Sequence, residues 1–194
     1  MTDVNNVQID QPRPSIGRFE LLRELFGTIL FGIAVFTLVQ LAIPQSKVQG
    51  HSMDTTLDEG QRLLISRVNY LFGDPQRGDI VVFNSPSPLE ENEPALIKRV
   101  VGLPGEVVEL RDHVVYINGQ ALDEPYITEE CTSYSCENNR WELGPNEYFV
   151  MGDNRNNSRD SRVFGPVNRH MMIGEAIFRL WPLQTIGMLQ AGHE

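Results

Sequence analysis

The sequence predicts a mainly β protein: one N-terminal transmembrane helix followed by an all-β domain. Two observations predict it. Leu25 to Ile43 (LFGTILFGIAVFTLVQLAI) holds 19 residues without a charge, and about 20 apolar residues are what a helix needs to cross a bilayer core. Beyond that run the apolar stretches shrink to four to six residues, rich in β-branched and aromatic side chains. Gly, Pro and Asn clusters separate them, and few helical periods appear, which is the pattern of short strands. The expected organisation is a cytoplasmic tail (1–24), a transmembrane helix (25–43) and a β-rich domain (44–194).

Taking the elements in order, residues 1–17 are polar and carry Pro12 and Pro14, the composition of a disordered tail. Two alternatives to a membrane anchor fit the apolar run poorly. A cleavable signal sequence begins nearer the N-terminus and ends at a small-x-small site, whereas 24 residues precede this run and Ile43-Pro44-Gln45-Ser46 follows it. A buried core helix shows a polar face, and here only Thr28, Thr37 and Gln40 interrupt the apolar surface. Arg13, Arg18 and Arg23 lie before the run and Lys47 after it. The positive-inside bias therefore places the N-terminus in the cytoplasm and residues 44–194 on the extracytoplasmic side. The membrane expected is the plasma membrane, with an internal photosynthetic (thylakoid) membrane as the alternative.

Strands are expected at Arg62–Arg67, Asp79–Phe83, Leu96–Val101, Val107–Leu110, Val114–Ile117, Tyr148–Met151 and Ala176–Trp181. Asn118-Gly119 after Val114–Ile117 is a hairpin signal. Residues 84–94 and 128–142 are expected to be exposed loops. The late run Ile177–Leu183 fits either a core strand or an apolar surface resting on the membrane.

With 16 basic and 26 acidic residues the net charge is −10 and the isoelectric point near 4.9. No basic stripe offsets the acids, so nucleic acid is not an expected partner. No metal or nucleotide motif is present, no cofactor is expected, and the protein is expected to be a monomer in contact with the lipid bilayer. Cys131 and Cys136 fit a small disulfide loop in an oxidising compartment. Zinc is the weaker alternative because no second Cys or His pair has ligand spacing, and free thiols are a third.

The chemistry starts from a compositional oddity: fourteen arginines and only two lysines, Lys47 and Lys98. Arginine stays protonated, whereas a buried lysine can lose its proton near neutral pH and serve as a base. Lys98 lies inside the apolar run Ala95-Leu96-Ile97-Lys98-Arg99-Val100-Val101, 46 residues after Ser52-Met53. If 96–101 is a strand, Lys98 shares a face with Leu96 and Val100 while Arg99 points the other way. Leu96, Ile97, Val100 and Val101 are the apolar residues expected to desolvate the amine.

Four ordered segments resemble the boxes of bacterial type I signal peptidases, the membrane-bound Ser-Lys peptidases. They are Gly50-His51-Ser52-Met53-Asp54-Thr55-Thr56-Leu57, Arg77–Phe83, Ile97–Glu106, and Gly152–Arg162 followed by Phe164-Gly165-Pro166. The resemblance implies removal of N-terminal signal peptides from exported preproteins, with cleavage after small-x-small (Ala-x-Ala) sites. It implies Ser52 as nucleophile, Lys98 as general base, and the Ser52 backbone N–H as an oxyanion-hole donor. A family serine that hydrogen-bonds the lysine is matched by Ser158, and a supporting ion pair by Asp160 and Arg162. Asp153, Asn154 and Arg155 are expected to order the same loop, and His51 to line the cleft or face solvent. Where some relatives carry a second oxyanion serine this chain has Gly50. Where the pattern has proline after Ser-Met-x, this chain has Thr55, which restores an N–H and frees φ. Residues 48–54 and Asp79–Phe83 are the expected walls of the substrate groove.

Two other classes share parts of this pattern. A self-cleaving Ser-Lys repressor needs a DNA-binding module, and none is present. An accessory protein with decayed catalysis would not need Ser52, Lys98 and Ser158 together.

Overall fold

The computed structural model describes residues 17–42, 45–86, 94–132, 134–189 and 192. Most of the expected tail, Ile43 at the end of the expected span, and much of the 84–94 loop lie outside the described residues. The chain divides into two compact units, one ending at Gln40 and the other beginning at Leu41; each is described by itself.

The first unit holds helix α1, Arg18–Ala42, up to Gln40. The helix begins seven residues before the expected 25–43 span. Charges bound the apolar run but do not bound the helix. Leu, Arg and Glu between 20 and 24 are good helix formers, so the helix extends through them. The stretch Phe19–Gln40 has a mean hydropathy of 1.8 with no side buried, and from Leu25 onward it carries no charge on any face. The hydroxyls of Thr28 and Thr37 donate to the carbonyls of Glu24 and Ile33 one turn earlier. The polar groups that interrupt the run are thereby satisfied within the helix itself.

The second unit is mainly β. Its elements are β1 (Gln45–Lys47), β2 (Arg62–Ser66), the short helix α2 (Asn69–Phe72), β3 (Ile80–Phe83), β4 (Leu96–Gly102), β5 (Val107–Arg111), β6 (Val114–Ile117), β7 (Gln120–Ala121), β8 (Asn139–Glu142), β9 (Glu147–Met151), α3 (Ser161–Phe164), β10 (Val167–Asn168), β11 (Met172–Trp181) and β12 (Gly187–Met188). One sheet runs β1-β2-β11-β3-β4-β9-β10 with β12 added to β11, and the other runs β7-β6-β5-β8. Pairing among the described strands is antiparallel throughout.

β3 and β4 lie at the centre of the large sheet. Every residue of β3 is buried, and so is every residue of β4 from Ile97 onward. Strands covered on both faces read as continuous apolar runs rather than alternating ones. Alternation survives in the packing. Leu96 and Val100 join Val81, Phe83 and Val150 on one face, while Ile97 joins Val48, Met53, Leu57 and Val82 on the other. By alternation Leu96 and Val100 share the Lys98 face, Ile97 borders the same groove as Lys98, and Val101 packs in the core of the small sheet. The small sheet packs its own core of Val108, Leu110, Val115 and Ile117 against Val101, Phe149 and Met151. Gly102 sits at that junction, where a Cβ would come within 2.8 Å of Leu143.

The expected exposed loop at 128–142 is corrected in part. Asn139–Glu142 is β8, paired with β5, and Cys131 and Cys136 are buried. The signal is weak because β8 has one apolar residue, Trp141. That ring packs 4.6 Å from Phe149, while Arg140 bridges Glu109 and Glu142 on the outer side.

Candidate active site

The turn Gly50–Leu57 sits between β1 and β2, its base closed by hydrogen bonds from Val48 N–H to Gln61 O and Gly60 N–H to Val48 O. Met53 and Leu57 are buried and anchor it in the core. Gly50 takes φ +80°, a left-handed conformation suited to glycine. Between these anchors the half-buried Ser52 is held up toward β4.

Lys98 Nζ lies 2.8 Å from Ser52 Oγ and donates to the Ile97 carbonyl at 2.9 Å. Burial pushes the Lys98 amine down from 10.5 to about 8, against the charges of Asp160 and Asp153, which hold it up. Arg99, the next residue, is equally buried. It donates to both oxygens of Asp153 at 2.9 and 2.7 Å and to Gly78 O at 2.8 Å, and stacks 4.0 Å from the Tyr126 ring.

The loop after β9 closes the site from the other side. At Gly152 an added Cβ would collide with Ser158 Oγ and the Ser52 carbonyl, so only glycine lets the loop approach the turn this closely. Gly152 N–H donates to Asp160 at 3.0 Å, and Arg162 pairs with Asp160 at 2.7 Å. The remaining Arg162 nitrogen reaches the Arg155 carbonyl at 2.9 Å and Cys136 Sγ at 2.9 Å. Cys131 and Cys136 are joined as a disulfide beneath that guanidinium. Arg155 itself pairs with Glu124. Asn154, expected only to order the loop, bonds directly to the nucleophile turn: its N–H donates to Ser52 O at 3.1 Å and its Nδ2 to His51 O at 3.0 Å. Sequence offers no signal for that contact beyond the presence of both boxes.

Ser158 is not brought into hydrogen-bonding contact with Lys98. Its Oγ is buried beside Gly152 with no partner among the described residues. His51 faces solvent, between Asp54 at 3.1 Å and Glu59 at 3.5 Å. The Ser52 N–H has no acceptor among the described residues, so it is free to donate. Thr55 adopts φ +88°, a conformation closed to proline, whose ring fixes φ near −65°. The turn therefore has a backbone that the usual proline would forbid, with Thr55 Oγ1 set 3.4 Å from the Tyr126 carbonyl.

A groove of about 310 Å³ opens beside Ser52 and Lys98, lined by residues 45–50, 52–53 and 94–98. This corrects one expected wall: Asp79–Phe83 is buried and does not line it, because β4 and its approach from Pro94 stand between β3 and the groove. The late run also divides. Ile177–Leu180 are half-buried on a strand flanked by β2 and β3, whereas Trp181 and Leu183 are 52% and 63% exposed.

A serine hydroxyl facing a desolvated amine, beside an extended groove in a β domain, is the equipment of a serine hydrolase that works on peptides. The comparisons agree with that class. The pattern of the signal peptidase, peptidase S26 family matches residues 20–181. A probable signal peptidase I-2 of Synechocystis sp. is 38% identical over 88% of this chain and 76% of its own length. Signal peptidase I of Leptolyngbya laminosa is 36% identical over 92% and 87%. A solved signal peptidase I from Enterococcus faecalis V583 is 36% identical over 53% of this chain and 96% of that one, with a TM-score of 0.45. The chain belongs to the signal peptidase family, peptidase S26. It is a serine peptidase whose reaction is the removal of signal peptides from preproteins.

Proposed function

We propose that this peptidase uses Ser52 as its nucleophile and Lys98 as its general base. It cuts exported preproteins after small-x-small sites while anchored in the membrane by α1. The observation that carries the assignment is the 2.8 Å approach of Lys98 Nζ to Ser52 Oγ, with the amine lowered to about 8 by burial. In its neutral form the amine accepts the Ser52 hydroxyl proton as Oγ attacks the scissile carbonyl. The Ser52 N–H is free to donate to the oxyanion. The resulting ammonium then gives its proton to the departing amine, which leaves an acyl-enzyme. Water attacks that ester, Lys98 takes the water's proton and returns it to Ser52 Oγ, and the signal peptide leaves as a carboxylate. The bond to Ile97 O keeps Nζ aimed at Ser52 through both halves. Arg162 neutralises Asp160, and Arg99 neutralises Asp153, which limits how far these carboxylates raise the amine.

The groove lined by Val48, Gln49, Gly50 and Ala95–Ile97 supports an extended peptide with small side chains. The length and apolarity of α1 support a single-pass anchor. The arginines at 13, 18 and 23 support a cytoplasmic N-terminus and an extracytoplasmic catalytic unit. The assigned membrane is the plasma membrane, with the thylakoid as the alternative, and the working unit is a monomer with no nucleic-acid partner.

The test is cleavage of an Ala-x-Ala preprotein by the full chain in detergent micelles, with mass spectrometry locating the cut. Ser52→Ala and Lys98→Ala are expected to abolish cleavage while leaving the thermal unfolding transition in place. Full activity in either variant, or a cut elsewhere than after the small-x-small site, contradicts the assignment.

A further inference from the structure

Asn154 grips the nucleophile turn through two successive carbonyls. Its backbone N–H donates to Ser52 O at 3.1 Å and its Nδ2 donates to His51 O at 3.0 Å. The side chain cannot turn over freely, because Oδ1 accepts the Asn157 N–H at 3.1 Å. The His51 carbonyl and the Ser52 N–H belong to one peptide group. That group is planar and trans, so its C=O and N–H point in opposite directions. Fixing the carbonyl from behind therefore fixes the direction of the N–H in front. The N–H is the one free of any acceptor among the described residues. A donor on the carbonyl also draws electron density through the amide and strengthens the opposite N–H as a donor. Among the described residues the other donor on His51 O is the Asp54 N–H, at a longer 3.3 Å.

We propose that Asn154 is a positioning residue for the oxyanion hole: its carboxamide holds the His51–Ser52 peptide so that the Ser52 N–H faces the developing oxyanion. This rests on Ser52 being the nucleophile. It assigns Asn154 a role separate from Lys98, since the carboxamide bonds to His51 O and the Asn157 N–H while the amine bonds to Ser52 Oγ and Ile97 O. Removing an oxyanion donor outright costs on the order of 100- to 1000-fold in turnover, so loosening one should cost about 10- to 100-fold.

The experiment compares wild type, Asn154→Ala and Asn154→Leu as full chains in micelles, using an Ala-x-Ala preprotein and a peptide aldehyde of the same sequence. The aldehyde adds to Ser52 Oγ as a hemiacetal, which places an oxygen where the oxyanion would sit. Expected for Asn154→Ala are a kcat lowered about 10- to 100-fold, a KM held within about twofold, and aldehyde affinity lowered in step with kcat/KM. The midpoint of the pH profile should not move, which separates this role from any effect on Lys98. Asn154→Leu keeps the size with neither the donor nor a charge and should lose kcat similarly, so it carries the test if the alanine variant fails to fold. Unchanged kcat in a folded variant overturns the proposal, as does a loss confined to KM or a shifted pH midpoint. Ser52→Ala is the control: if it still cleaves, the assignment of the nucleophile has failed; if it is inactive while Asn154→Ala matches wild type, only the role of Asn154 has.

Discussion

Lys98 and Arg99 are neighbours on one strand, 3% and 1% exposed, and the domain surrounds these two cations in opposite ways. Arg99 has a carboxylate gripping two of its nitrogens, a carbonyl on another and an aromatic ring across its face. Lys98 has a hydroxyl and a carbonyl, and no carboxylate pairs with it among the described residues. Strand alternation sends the two side chains to different faces, so one residue step separates a compensated charge from an uncompensated one. A buried cation with its counter-ion supports structure; a buried amine without one is pushed toward its neutral form and becomes a base. The difference between the residue types completes the contrast, because a guanidinium in the Lys98 position could not give up its proton.

The largest expected effect comes from making the two positions alike. Lys98→Arg keeps a cation beside Ser52 but removes the base, and preprotein cleavage should fall by about 1000-fold or more. Appreciable turnover in that variant would break the comparison. Arg99→Met should act on stability instead. It leaves Asp153 buried without its partner, at a cost of about 3–5 kcal/mol in denaturant unfolding, and a change below 1 kcal/mol would show that the pair is dispensable.

A subtler contrast lies in pH. The folded Lys98 amine is lowered from 10.5 to about 8, so between those values the unfolded chain binds more protons than the folded one. Stability should therefore rise with pH across that window, by on the order of 3 kcal/mol relative to Lys98→Met. Below about pH 8 the penalty for the buried ammonium is fully present. Identical pH dependence in the two proteins would remove desolvation as the cause. The smallest effect concerns Thr55. At φ +88° a β-branched residue is strained, and Thr55→Gly should stabilise by about 1 kcal/mol with cleavage retained. A destabilised Thr55→Gly would mean that the contact with the Tyr126 carbonyl outweighs the strain.

Much of this was legible in the sequence. The uncharged run foretells α1, and alternation in Leu96–Val101 separates Lys98 from Arg99. The ordered boxes named Ser52, Lys98 and the 152–162 loop. What escaped has physical reasons. The helix start was misplaced because charges limit a membrane span but not a helix. β8 was missed because an edge strand with one apolar residue draws its stability from partners on β5, far away in sequence. Asp79–Phe83 was assigned to the groove because a strand buried on both faces looks like any apolar wall. The Arg99–Asp153 pair and the hold of Asn154 on the turn join boxes more than 50 residues apart, and no local pattern encodes such contacts. Ser158 shows the reverse: its box places it at the site, yet it makes no bond to the lysine.

The scarcity that first marked Lys98 also makes its protonation measurable. With two lysines in the chain, selective isotopic labelling gives two side-chain signals, and the one lost in Lys98→Arg identifies the residue. Following that signal by NMR against pH tests the central claim most directly. A midpoint of about 8 is the result expected for a desolvated base facing Ser52, and cleavage should rise through the same pH; a midpoint at or above the ordinary 10.5 would contradict it.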